Sequence, residues 1–123
     1  MTNIYFHPDI DYQGIKDIEN KYTSIDKDYL VNEASDYICQ ILKKFVKKTD
    51  SILFICGPGH NGLDTLLTAH KLLDLKYNIS IFFIQKNTHL EYVKKYDLNN
   101  FIISSYDACD SYAYIIDGIF GYG

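Results

Sequence analysis

A short apolar segment that runs directly into a glycine-rich loop constrains the fold of this chain more than any other feature. Residues 51–56 are apolar apart from Ser51, and residues 57–62 read Gly-Pro-Gly-His-Asn-Gly. A continuous apolar run that ends in glycine is typical of a strand buried in a parallel sheet. Apolar residues at helical spacing follow between Leu66 and Leu73. The sequence therefore predicts a strand, a glycine turn and a helix in succession.

The same alternation continues along the chain and predicts a doubly wound α/β sheet. Further strands are expected at residues 79–84, 101–103 and 112–117, and helices at about 11–22, from 26 to about 45, and at 90–95. The short connection from Ile103 to Tyr112 argues against a full third strand. With 51–56 counted as the first strand, we expect the order 3-2-1-4. The loops 57–64 and 117–123 would then face each other across a ligand crevice.

Composition excludes several classes of function. The 123 residues are 47% hydrophobic and carry a net charge of −4, which fits a single domain over residues 1–123. All 12 basic residues are lysine, so we expect no nucleic-acid partner. The three cysteines form no Cys-x-x-Cys pair, which argues against a disulfide framework or zinc site. Without a signal sequence or a long apolar run, we expect a cytoplasmic protein with no membrane contact.

The glycine loop matches a dinucleotide-binding pattern only in part. That pattern also needs an acidic residue after the second strand to bind a ribose, whereas this chain has Gln85, Lys86 and Asn87 there. Asn61 and Asp64 could face a ligand, and a helix N-terminus suits an anion. The alternative to a ligand site is a plain tight turn. In that case Asp64 is only a favourable acid in the first turn of the helix. His70 and His89 are predicted to be structural or solvated.

Asp117 ends the last predicted strand and is followed by Gly118 and Gly121. A carboxylate at the carboxyl edge of a parallel strand is well placed for acid–base chemistry or for binding a cation. The alternative is that Asp117 caps a following helix. No helix follows it in this sequence, which favours the functional interpretation.

These residues resemble the YjeF N-terminal domain family, whose enzymatic members are NAD(P)H-hydrate epimerases. The family loop Gly-Pro-Gly-Asn-Asn-Gly-Gly-Asp-Gly is similar to residues 57–65, and its Asp-Ala-Ile/Leu-Phe-Gly motif is similar to residues 117–121. Residues 30–35, Leu-Val-Asn-Glu-Ala-Ser, resemble a drifted copy of the family's Leu-Met-Glu-x-Ala-Gly segment. The chain departs from the loop pattern at His60, Leu63 and Thr65.

The resemblance implies a Rossmann-like three-layer αβα sandwich, often dimeric, that interconverts the R and S forms of hydrated NADH and NADPH in nicotinamide nucleotide repair. It implies a potassium ion held by Asn61 and Asp117. Because Asp117 would then lie beside the cation and the ring, we expect it to be the catalytic proton shuttle. Oxygen donors of this kind suit a hard cation. It further implies that the substrate, NAD(P)H hydrate, is bound by His60, Asn61, Gly62, Leu63, Asp64, Gly121, Tyr122 and Gly123.

The resemblance also predicts an incomplete domain. Family members continue into a Ser-x-Asp-x-Pro-Ser-Gly segment, so we expect a chain truncated after the fourth strand, which leaves its activity open. The fourth strand would be an exposed edge, and the chain would associate or fold poorly. Leu63 is expected to crowd the substrate. The alternative function is a catalytically inactive YjeF-like dimerisation or scaffold module, of the type found in mRNA-decapping enhancers. An ordinary NAD-dependent oxidoreductase is the least favoured alternative, because the ribose carboxylate is missing.

Overall fold

A four-stranded parallel sheet forms the centre of the protein. The computed structural model describes residues 5–6, 27–105 and 111–119. Within them the strands are β1 (Tyr5–Phe6), β2 (Ser51–Cys56), β3 (Asn78–Phe83) and β4 (Tyr114–Gly118). The helices are α1 (Lys27–Leu42), α2 (His60–Asp74) and α3 (Leu90–Lys95), with a 3-10 turn at Asn99–Phe101. The strand order is β1-β4-β2-β3, and each neighbouring pair is parallel.

The strands bury both faces of the sheet because their residues alternate sides. Ile52, Phe54 and Cys56 are fully buried in the larger apolar cluster, to which α1, α2 and α3 also contribute. Leu53 and Ile55 belong to a second cluster on the opposite face, together with Ile115 of β4. An apolar run without polar alternation is what a strand covered on both sides requires.

Helix α2 packs directly on the sheet, and α1 packs on α2. The two helices are joined at their surface by Lys71, whose ammonium donates to the Asn32 carbonyl at 2.8 Å and to Asp36 Oδ1 at 2.6 Å. Helix α3 contacts α2 where the Tyr96 ring stacks on His70, with 3.9 Å between the ring centroids. The described helices therefore form one layer, with its inner face on the sheet.

Both α2 and α3 end without a glycine. The N–H of Tyr77 bonds to the Leu72 carbonyl and that of Lys76 to Leu73, with Lys76 in the left-handed conformation at φ 71°. This is the Schellman arrangement, which satisfies carbonyls at a helix end and usually uses glycine at the left-handed position. Asp97, at φ 53°, performs the same role after α3.

The predicted parallel α/β fold and the central part of its strand order are confirmed, with three corrections. Residues 101–103 form a single parallel bridge, Ile81 to Ile102, after the 3-10 turn. The last predicted strand, 112–117, is shifted to Tyr114–Gly118. β4 is not an open edge, because Tyr5–Phe6 pairs with Ile115 and Ile116. Residues 51–56 form a strand as predicted.

The predicted helices are also found where the chain is described. Helix α1 ends at Leu42, three residues before the predicted end at about residue 45. Helix α2 begins at His60 and so includes part of the glycine motif. The helix predicted at about residues 11–22 lies outside the described residues. No helix in the described part of the chain is long and apolar enough to cross a membrane.

Phe54 and Phe45 provide a matched test of the core. Phe54 is completely buried, whereas Phe45 is 41% exposed. We expect Phe54→Ala to lower the free energy of unfolding by about 3–5 kcal/mol, since it leaves a cavity. Phe45→Ala should cost less than about 1 kcal/mol. Urea unfolding followed by circular dichroism measures both free energies. Phe54→Leu is a milder variant for the case in which Phe54→Ala does not fold. Equal effects at the two positions would contradict this assignment of the core.

His70 gives the fold a defined pH dependence. Burial lowers the pKa of His70 below the usual 6.5, although Asp74, with its Oδ2 3.6 Å from His70 Nε2, acts in the opposite direction. The unfolded chain therefore binds a proton more readily than the folded chain, so stability falls as the pH drops through about 6.5. We expect His70→Gln to reduce the change in unfolding free energy between about pH 7 and pH 5. A profile that keeps its slope in the variant would show that other groups cause it.

Candidate functional site

The carboxyl ends of β2, β3 and β4 are joined by backbone hydrogen bonds. Immediately after β2, the N–H of Gly57 donates to the Gly118 carbonyl at 2.9 Å. On the other side, the N–H of Ile84 donates to the Cys56 carbonyl at 3.1 Å. The loops that follow β2 and β4 therefore touch, as the predicted strand order requires. This edge is where ligands bind in open α/β sheets.

Two glycines are needed here for close approach rather than for unusual backbone angles. A Cβ atom on Gly62 would collide with the backbone of Gly57, including its carbonyl oxygen. A Cβ on Gly57 would lie 2.5 Å from the Ile119 carbonyl oxygen. The first turn of α2 thus packs against the glycine loop, which in turn packs against the end of β4. Gly59 differs, because a Cβ there would meet nothing within 4 Å.

Thr65 and Gly118 form a further contact between α2 and β4. The Thr65 hydroxyl donates to the Asn61 carbonyl at 2.8 Å, and Thr65 is only 4% exposed. A Cβ on Gly118 would lie 2.6 Å from the Cβ of Thr65. The residue that replaces a family glycine at position 65 is therefore accommodated inside the protein, against the glycine of the second motif.

Asn61 and Asp64 are buried polar residues in the first two turns of α2, at 3% and 4% exposure. The first turn of α2 contains no acidic residue, so Asp64 is not the first-turn acid considered from the sequence. Buried amide and carboxylate groups need polar partners, which makes them costly to keep without a role. His60, one residue before Asn61, is exposed at the start of the helix.

The expectation that Leu63 crowds the substrate is wrong. Its side chain is 1% exposed and lies in the larger apolar cluster. Because Leu63 falls on the same helical face as Leu66 and Leu67, its side chain packs into the core between α2 and the sheet. Leu63 can face a ligand only through its backbone, and its N–H already donates to the Gly59 carbonyl at 3.1 Å.

Asp117 lies at the same edge but on the opposite face of the sheet from α2. It is paired with Ile55 in the β2–β4 register, and Ile55 belongs to the second cluster. Its Oδ1 accepts a hydrogen bond from the N–H of Ile119 at 2.9 Å. This local bond fixes the carboxylate at the strand end, and a carboxylate has further lone pairs with which to accept. Asn61, on α2, and Asp117 therefore lie on different faces of the sheet at this edge.

His89 is a residue of the site that sequence reasoning assigned to structure or solvent. Its Nε2 lies 3.0 Å from the Gly57 carbonyl oxygen, and its ring tilts against Phe83. His89 begins α3 in the left-handed conformation, at φ 55°, and Asn87 before it has φ 62°. Non-glycine residues in this region are uncommon, and they often occur at functional sites. No spacing in the sequence points from His89 to the glycine loop.

A groove of about 420 Å³ lies beyond the carboxyl end of β3. Its walls include apolar residues of β3 and of the segment around Ile102 and Ile103, and polar residues of the loop that follows β3, among them Lys86 and Thr88. Ile84 and Leu90, which also line it, are 45% and 47% exposed. A cavity of this size is within the usual range for small ligands.

The cysteines of the described chain do not add nucleophilic chemistry to this edge. Burial raises the pKa of the Cys56 thiol far above its ordinary value, and raises that of Cys39 to about 11. A thiol must ionise to act as a nucleophile or metal ligand. Cys56 thus serves as a small apolar residue at the end of β2, as the sequence suggests.

Several predicted groups are not brought together by the described residues. Gly121, Tyr122 and Gly123, predicted to contact the substrate, lie outside the described residues. Within the described ranges, no three histidine, cysteine, aspartate or glutamate residues form a metal-binding group. The predicted potassium ligands Asn61 and Asp117 offer amide and carboxylate oxygens, which are donors of the type a hard cation uses. The chemistry of these two donors therefore fits the ion.

The structure is that of a Rossmann-like α/β domain in which two glycine-bearing loops meet at the carboxyl edge of the sheet. A protein-family model described as YjeF-related protein N-terminus matches residues 27–123. The chain belongs to this family.

Curated relatives and a solved structure agree with the assignment. The chain is 29% identical over 79 residues to the NAD(P)H-hydrate epimerase of Entamoeba histolytica, covering 62% of this chain and 35% of the relative. It is 27% identical over 117 residues to that of Plasmodium knowlesi, covering 85% of this chain and 40% of the relative. The crystal structure of yeast ynu0 matches with a TM-score of 0.52 and 27% identity, covering 72% of this chain and 43% of that one. The chain thus spans less than half the length of these proteins.

Gly59 and Gly62, at the start of α2, provide a matched test of the close approach between α2 and the glycine loop. We expect Gly62→Ala to destabilise the fold by several kcal/mol, because the new methyl group meets the fixed backbone of Gly57 rather than a movable side chain. Gly59→Ala should change the unfolding free energy by only about 1 kcal/mol or less, since its position is open and its extended backbone suits any residue. Thermal and urea unfolding measure both; similar losses at the two positions would contradict the close approach.

Proposed function

We propose that this chain carries the nucleotide-binding edge of an NAD(P)H-hydrate epimerase, an isomerase that interconverts the R and S hydrates. One observation supports this above the others: the loops after β2 and β4 meet through the Gly57–Gly118 hydrogen bond and present Asn61, Asp64 and Asp117 at one edge. The relatives named NAD(P)H-hydrate epimerase support the same reaction and substrate.

The proposed substrate contacts divide between backbone and side chains. Gly59 and His60 are exposed at the start of α2, where helix N–H groups suit a pyrophosphate, and the open position of Gly59 leaves room for its approach. His60 can donate one hydrogen bond from the rim. The proposed set includes His60, Asn61, Gly62, the Leu63 backbone, Asp64, and Gly121, Tyr122 and Gly123 of the loop after β4.

A potassium ion is the proposed cofactor, held by Asn61 and Asp117 with further oxygen donors. Bound there, it would supply positive charge for an oxygen of the substrate. This donor set is suited to potassium rather than zinc, because it contains neither thiolate nor imidazole. We also propose a homodimer, which sedimentation velocity can measure.

Asp117 is the proposed acid and base of the reaction. Its protonated carboxyl gives a proton to the C6 hydroxyl, the C6–O bond breaks, and water leaves. Water then adds to either face of the ring, a new C6–O bond forms, and the carboxylate accepts the released proton. The Ile119 N–H bond to Oδ1 holds the carboxylate in place during both steps. Such proton transfer is worth about 10²- to 10⁴-fold in rate.

Asp117→Asn tests this role against a matched control, Asp50→Asn. Each carboxylate accepts a backbone N–H two or three residues away, Asp117 from Ile119 at 2.9 Å and Asp50 from Lys47 at 2.8 Å. Asparagine keeps an acceptor at both positions, so both variants should fold. With purified S or R hydrate and separation of the epimers by chromatography, we expect Asp117→Asn to slow epimerisation by about 10²-fold or more, and Asp50→Asn to leave it unchanged.

The possible outcomes separate two different failures. Undiminished epimerisation by Asp117→Asn would remove Asp117 as the catalytic residue while leaving the function intact. If the unaltered chain gives no epimerisation, with and without potassium, the proposed function is wrong and a non-catalytic dimerisation module is favoured.

A further inference from the structure

The segment that lines the groove beyond β3 also contacts the glycine loop. Thr88 and Leu90 line the groove, and His89 between them places Nε2 3.0 Å from the Gly57 carbonyl oxygen. The same Gly57 contacts the N-terminal turn of α2 through Gly62. The groove and the start of α2 therefore lie on either side of the Gly57 backbone, within one edge of the sheet.

The groove has the volume and the lining of a site for a nucleoside. Phe82, Phe83 and Ile102 supply apolar walls, and Thr88, Asn99 and Ser104 supply hydrogen-bonding groups. Its volume of about 420 Å³ suits half of a dinucleotide better than a whole one. An apolar slot with a few polar groups is the usual environment of a flat base attached to a sugar.

The charge of the groove is unusual for a site that binds an unmodified ribose. Dinucleotide sites commonly place a carboxylate after the second strand, where it binds the ribose 2′-hydroxyl, whereas sites for the 2′-phosphorylated form place a cation there. Among the described residues that line this groove, none is acidic and Lys86 is the one cation. Lys86 lies three residues after the end of β3. This is the position at which dinucleotide-binding proteins contact the ribose.

We propose that this groove binds the adenosine half of the substrate with a phosphate on its 2′-oxygen, and that Lys86 recognises this phosphate. The inference rests on the proposed function and makes the chain selective for the hydrate of NADPH over that of NADH. Lys86 is exposed, so its attraction to phosphate is modest and screened by salt.

Binding of small probes tests the groove without requiring turnover. Adenosine 2′-monophosphate, adenosine 5′-monophosphate and adenosine are titrated into the full chain by calorimetry at low and high salt. We expect the 2′-phosphate to bind about five- to tenfold more tightly than the other two at low salt. Lys86→Gln should remove this preference, and Lys86→Arg should keep it.

Lys44→Gln is the control for loss of one positive charge. Lys44 is exposed just after α1, at the end of the sheet where β2 begins, far from the groove. The Lys44→Gln variant should leave the affinities for the three probes unchanged. Equal binding of the three probes, no binding of any of them, or a preference that survives Lys86→Gln would each overturn the proposal. A preference that depends on Lys86 in a chain without epimerase activity would support the groove and contradict only the proposed function.

Discussion

The contact between Gly57 and Gly118 is the constraint on which the rest of the structure depends. Its hydrogen bond joins the loop after β2 to the end of β4, and it forms only because both positions lack side chains. Gly62 allows the first turn of α2 to lie against the same loop. The start of α2, the ends of three strands and the imidazole of His89 are therefore positioned by one small area of buried backbone.

The chemical groups of the edge come from both faces of the sheet. Asn61 and Asp64 belong to the helix that covers one face, whereas Asp117 shares the other face with Ile55. A ligand that contacts all three must lie across the ends of the strands rather than along either face. The two glycine loops therefore have the same role, which is to keep Asn61 and Asp64 close to Asp117. Bulky residues in either loop would move these groups apart.

The sequence predicted the elements whose pattern is set by burial alone. Residues 51–56 have to be a strand inside a sheet, and Leu66 to Leu73 have to be a helix. β1 was missed because two residues carry no periodicity. Leu63 was misjudged because the loop motif was interpreted without extending the helical period of Leu66 and Leu67 backwards to it. The contact of His89 depends on two left-handed residues, which no local pattern indicates.

The pairing of β1 with β4 has a consequence for how the protein is made. Tyr5 is paired with Ile115, so two segments separated by most of the sequence must meet before this side of the sheet exists. Contacts of such long sequence separation slow folding, because the intervening chain loses entropy before the contact is gained. On the ribosome, the helices and the β2–β3 pair can assemble early. The carboxyl edge of the sheet forms only after β4 has left the exit tunnel and inserted between β1 and β2.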